Sequence, residues 1–77
     1  MEDELLKEER KLRRLRLIVD FAMTFIATQN ITHDEAIRVV EAVKRQALML
    51  FPDKEETFDL IYLPRFRRLL NERFRRS

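Results

Sequence analysis

The side chains that could perform chemistry in this chain are few, and they are poorly placed for it. The single histidine, His33, stands beside Asp34 and Glu35. A metal site needs several ligands held on a rigid face, and the chain has no cysteine and no second histidine to supply them. We therefore expect His33 to be an exposed residue in the first turn of a helix, and we expect no metal and no cofactor.

A cluster of carboxylates, Glu55, Glu56 and Asp59, is the other candidate for catalysis. Paired carboxylates act as acid and base when burial separates their pKa values. Acids at the start of a helix are also favoured by the helix dipole, which explains this cluster without catalysis. The chain has no cysteine, no glycine and one serine, its last residue, so a nucleophile–base pair has almost nothing to be built from and a glycine-rich phosphate loop is excluded. The sequence predicts a protein that is not an enzyme and has no catalytic residues.

Arginine is concentrated in two tracts, residues 10–16 and 65–76. Basic helices can bind phosphates without reading a base sequence, and such binding weakens strongly with salt. The candidate phosphate-contacting residues are Arg10, Arg13, Arg14, Arg65, Arg68 and Arg75. The net charge is only +2, and Glu8 and Glu9 flank the first tract, which argues against this function. Nucleic-acid binding is therefore the alternative function, and binding of the basic last helix to a membrane surface is a further alternative.

The positions of proline and glycine predict a chain that is almost entirely helical. Glycine is absent, and the two prolines are Pro52 and Pro64. Thr32 with Glu35, and Asp53 with Glu56, have the spacing of capping boxes that begin helices. Pro52 ends a helix, and Pro64 either begins a separate helix or kinks a continuous one. We predict helices over residues 2–28, 33–50, 54–62 and 64–75.

Short connections between these helices predict how they pack. Two long helices joined by a short loop form an antiparallel hairpin, and the last two helices fold back across it. The predicted fold is all-α, a small bundle of three to four helices built on a long antiparallel helical hairpin, in a single domain over residues 1–77. The first helix spans about 40 Å at 1.5 Å per residue and overhangs a compact monomer. Either a second chain covers this overhang or residues 1–10 are frayed.

The first helix has more apolar surface than one short chain readily covers. One row follows helical spacing through Leu12, Leu15, Val19, Ala22 and Ile26, and a second row, from Leu17 onward, contains Ile18, Phe21 and Phe25. A helix that is apolar around most of its circumference must be covered on more than one side. We therefore predict a homodimer whose interface is the first row, with Arg16 and Asp20 at its edge. Asp20 has two interpretations: a solvated stripe with Arg16, or an interfacial charge that fixes the register of a partner.

The charges of the chain are segregated along its length. Residues 1–9 carry −4, residues 10–16 carry +5, residues 34–59 carry −3 and residues 65–76 carry +5. Segments of opposite sign can meet across a two-fold axis, or they can attract another protein. The chain lacks cysteine, and its start has no basic and apolar leader, which favours the cytoplasm. The apolar stretch 15–27 is shorter than the roughly 20 residues that span a bilayer.

Overall fold

The computed structural model describes residues 3–75 and contains four helices. They are α1 (Glu4–Thr28), α2 (His33–Leu50), α3 (Glu55–Ile61) and α4 (Leu63–Arg73). Between residues 3 and 75 there is no strand. The predicted all-α bundle on a long helical hairpin is confirmed. The predicted start at Glu2 and the residues after Arg75 lie outside the described range.

Helix α1 is regular from its first turn. Asp3 is its N-cap, and a side-chain oxygen of Asp3 accepts a hydrogen bond from the backbone N–H of Leu5 at 3.1 Å. The backbone N–H of Lys7 donates to the Asp3 carbonyl at 3.2 Å. Residues 4–10 are therefore part of α1.

Helix α2 begins with the predicted capping box. The Thr32 hydroxyl accepts a hydrogen bond from the Glu35 N–H at 3.1 Å, and the Glu35 carboxylate accepts one from the Thr32 N–H at 2.9 Å. Two N–H groups that would lack partners at a helix start are thereby satisfied. The helix ends at Leu50, with Phe51 as its C-cap directly before Pro52.

The second predicted capping box, Asp53 with Glu56, is wrong. Helix α3 begins at Glu55 after the N-cap Lys54, which makes no side-chain capping hydrogen bond. The Lys54 N–H donates to the Phe51 carbonyl at 3.1 Å, so Asp53 is held inside a turn. Asp53 therefore lies in the turn before α3 and is not the N-cap that the sequence pattern predicted.

Tyr62 separates α3 from α4. It is the C-cap of α3 and the N-cap of α4, and Pro64 lies in the first turn of α4. Proline is tolerated at this position because the first N–H groups of a helix have no intrahelical partner. Of the two alternatives for Pro64, the structure shows the separate helix.

The core lies where α1 and α2 meet α3 and α4. Helix α1 packs along α2, α4 contacts both of them, and α3 packs on α2 and α4. Arg73, at the end of α4, donates to the carbonyl of Gln29 at 3.1 Å and ties α4 to the loop between α1 and α2. The buried apolar side chains are Leu15, Val19, Ala22, Ile26, Ala36, Val40, Val43, Ala47, Phe58 and Phe66.

Candidate association surface

The structure places most of the predicted interface row inside the single chain. Leu15, Val19, Ala22 and Ile26 are each at most 5% exposed and belong to the core. Leu12, at the end of the row, remains 40% exposed. The buried four are covered almost completely by contacts within one chain, although Leu15 and Ala22 each line a surface cleft. This part of the predicted interface is therefore corrected.

Arg16 and Asp20, the predicted edge of that interface, are both exposed. Among residues 3–75 the ion pairs that form involve Lys44, and none joins Arg16 to Asp20. Asp20 therefore lies in solvent in one chain, which agrees with a solvated stripe but without the pairing to Arg16.

The second apolar row of α1 remains uncovered. Phe21 is 73% exposed and Leu17 is 65% exposed, although both lie in the middle of a well-formed helix. The rings of Phe21 and Phe25 stack with centroids 6.4 Å apart. Large apolar side chains that are exposed together mark a surface for contact with another molecule.

Helix α2 supplies the other wall of this surface. Val39, Ala42 and Gln46 of α2 face the second row of α1 across a shallow groove of 490 Å³. We call this surface the α1–α2 groove; its residues are Leu17, Ile18, Phe21, Ala22, Phe25, Val39, Ala42, Val43 and Gln46. Met49, two turns after Ala42 on the same side of α2, is 75% exposed and extends the apolar surface.

Helical spacing places Arg14 near one end of the α1–α2 groove and Glu35, which interacts with Arg38, near the other end. Arg14 precedes Ile18 by four residues and Phe21 by seven, so it lies on the groove side of α1. Glu35 precedes Val39 by one turn on α2, at the opposite end because the two helices are antiparallel. The hydrogen bond from the Thr32 backbone N–H, followed by the Thr32 side chain, lowers the pKa of Glu35.

A second, smaller apolar cleft lies between the first half of α1 and α3. It has a volume of 260 Å³, and Leu12, Phe51, Ile61 and Tyr62 are among its lining residues. Lys11 lies 5.8 Å from the centre of the Phe51 ring and covers one side of it. The exposure of Leu12 is explained by this cleft, which the single chain leaves partly open.

The two arginine tracts do not share a surface. Arg68 and Arg75 line a groove of 670 Å³ together with Arg67, which the sequence-based set omitted. His33 lines the same groove, and Arg65 is not among its lining residues. No residue of the α1 tract, Arg10, Arg13 or Arg14, lines it. Arg67 was identifiable from sequence, since it belongs to the same basic tract, residues 65–76, as Arg68 and Arg75.

The remaining candidates for chemistry make structural contacts. The ring of His33, the first residue of α2, lies 5.1 Å from the ring of Phe74. Asp59 and Glu55 lie 2.9 and 3.0 Å from the ammonium of Lys44. Their hydrogen bonds, that of Asp59 first, raise the pKa of Lys44. Lys44 thus joins α3 to α2, and as the pH rises from the ordinary lysine pKa of 10.5 through the raised pKa this contribution is lost.

Comparison of the chain with protein-family models, with curated proteins and with solved structures gives no match. Within residues 3–75, no helix has both the length and the apolar character needed to cross a bilayer.

Proposed function

We propose that this chain is a non-enzymatic helical interaction module that self-associates as a homodimer through the α1–α2 groove. The observation that carries the proposal is Phe21, which is 73% exposed at the centre of a groove whose walls are almost wholly apolar. Burying one such side chain stabilises a complex by roughly 1.5–3 kcal/mol. In a two-fold interface both copies bury the same side chains, so each side chain contributes twice to the stability of the dimer. This favours a second copy as the occupant of the groove.

The charges at the ends of the groove also favour a second copy. A two-fold axis that passes between the two copies beside Phe21, perpendicular to α1, makes the two α1 helices antiparallel. Arg14 of each copy then approaches the end of the groove where Glu35 of the other copy lies. Seven residues separate Arg14 from Phe21, about 10 Å along the helix at 1.5 Å per residue, so these charges frame the apolar centre.

The parallel arrangement lacks this complementarity. An axis that runs along α1 places Arg14 of both copies at the same end, where like charges repel. Charged groups at the rim of an interface fix orientation more than they add affinity. We therefore assign the antiparallel arrangement to the proposed dimer, with the apolar groove as the source of its stability.

Two further features support a non-enzymatic role in the cytoplasm. Glu55 and Asp59 are paired with Lys44, and the His33 ring packs against Phe74, so these groups contribute to the fold. The chain has no cysteine, which suits a reducing compartment. Each feature agrees with a protein whose role is to bind another chain.

The proposal is tested by comparing two matched substitutions. Phe21→Ser removes the centre of the groove, and Leu60→Ser makes a similar change at a residue of α3 that is 70% exposed and lies outside the groove. We expect sedimentation velocity to show that Phe21→Ser is monomeric at concentrations where the unmodified chain and Leu60→Ser are dimeric. Circular dichroism checks that both variants stay helical.

Two results would overturn the proposal. A folded Phe21→Ser variant that dimerises as tightly as the unmodified chain shows that the groove is not the interface. Equal weakening by Leu60→Ser shows that the association is an unspecific response to exposed apolar side chains.

A further inference from the structure

Helix α4 presents a basic surface that the proposed dimer does not use. Arg67, Arg68 and Arg75 line one concave groove of 670 Å³ together with Asn71 and His33. All three arginines are exposed. Glu72 also lines the groove and offsets one of the three positive charges. We call this surface the α4 groove.

Most of the polar groups of the α4 groove come from α4 and from the residue that follows its C-cap. Arg67 and Asn71 are four residues apart on one side of the helix, about 6 Å along its axis. Arg75 lies beyond the end of α4 at Arg73 and lines the same groove. The planar guanidinium of arginine donates two parallel hydrogen bonds to a phosphate. Several such donors along one groove suit a chain of phosphates better than an isolated anion.

Arg67 and Arg68 differ from Arg73, the last residue of α4, in what their side chains contact. Phe66 is fully buried on the opposite side of the helix, and Arg73 is held by the carbonyl of Gln29. These two contacts fix the rotation of α4 about its axis. Arg67, Arg68 and Asn71 are left exposed to solvent. The groove is therefore presented by a helix that is tied to the bundle at its far end.

We propose that the α4 groove binds the phosphate backbone of single-stranded nucleic acid. The exposed ring of His33, backed by Phe74 at 5.1 Å, lies in the groove and offers a surface on which an unpaired base can stack. A basic groove combined with an aromatic ring is the usual design of proteins that bind single strands without sequence preference. Pro64, Leu70 and Phe74 also line the groove, and neither Leu70 nor Phe74 is among the large apolar side chains of residues 3–75 that are exposed.

The test measures binding of a fluorescein-labelled oligothymidylate by anisotropy as a function of salt. The triple variant Arg67→Gln, Arg68→Gln and Arg75→Gln should lower the slope of log K against log salt by about 2, because each lost phosphate contact of a single strand contributes about 0.7. The matched single variants are Arg67→Gln and Arg65→Gln, which remove the same charge from the same helix inside and outside the groove. We expect Arg67→Gln to lower the slope by about 0.7 and Arg65→Gln to leave it unchanged.

Three results would overturn the inference. The first is that the unmodified chain fails to bind the oligonucleotide at low salt. The second is that Arg65→Gln weakens binding as much as Arg67→Gln, which indicates a diffuse attraction rather than a groove. The third is that duplex DNA or phosphatidylserine vesicles bind as tightly as the oligonucleotide or more tightly, which assigns the α4 groove to another class of ligand. Circular dichroism confirms that the variants used keep their helices.

Discussion

Thr32 shows what a single side chain contributes to this fold. Its hydroxyl accepts the Glu35 N–H, and the Glu35 carboxylate accepts the Thr32 N–H in return. The second bond lowers the pKa of Glu35 below its ordinary value of 4.5. Because the folded pKa is the lower one, this stabilisation is present above pH 4.5 and is lost as the pH falls through the lowered value.

Thr32→Ala should lower the free energy of unfolding by about 1 kcal/mol, because the Glu35 N–H loses its partner at the helix start. Thr28→Ala is the control, since the Thr28 hydroxyl donates to the Thr24 carbonyl inside α1 and caps no helix start. Urea denaturation measures both changes. A loss from Thr32→Ala no larger than that from Thr28→Ala would show that the capping box contributes nothing.

At the residue scale, local pattern predicted one capping box and failed for the other. Thr32 and Glu35 are both free to make their bonds, because Asn30 and Ile31 form a short connection that leaves the cap exposed. Asp53 has the same spacing to Glu56, but the hydrogen bond between Lys54 and Phe51 places it in a turn. Spacing alone does not distinguish these two cases, because the competing bond involves a backbone group that every residue has.

At the scale of the element, α3 depends on few contacts. It has seven residues, no side-chain cap and one buried side chain, Phe58, which is 3% exposed. The ion pairs of Lys44 with Glu55 and Asp59 lie at the surface, where such pairs contribute little. The position of α3 is therefore decided mainly by Phe58.

Phe58→Ala should cost about 3–5 kcal/mol, because it removes a large buried ring and leaves a cavity. Leu60→Ala, on the exposed side of the same helix, should change stability by less than about 0.5 kcal/mol. Thermal unfolding at a fixed protein concentration measures both. A cost below about 1 kcal/mol for Phe58→Ala would contradict the assignment of this ring to the core.

The sequence predicted that α1 has two apolar rows, but the prediction that the first row faces a second copy was wrong for the four residues that the chain itself buries. The row that is buried contains Ala22, and α2 faces it with Ala36 and Ala47. Small side chains let two helices approach closely, whereas the rings of Phe21 and Phe25 on the other row hold a neighbour away. The choice also depends on where α4 returns, which is a property of the whole chain and has no local signal in α1.

At the scale of the whole molecule, the balance of apolar surface favours association. A chain of 77 residues has a small core, here ten buried apolar side chains, and a domain of this size is marginally stable alone. Leu17, Phe21 and Met49 remain between 65% and 75% exposed. A second copy on the α1–α2 groove would cover these side chains and add to the stability of both chains.

The mass of the unmodified chain in solution tests this account most directly. Sedimentation equilibrium over micromolar concentrations at moderate salt should give twice the 9.5 kDa of one chain, with dissociation on dilution. A mass of 9.5 kDa at every concentration would contradict self-association, and the exposed ring of Phe21 would then need a different partner.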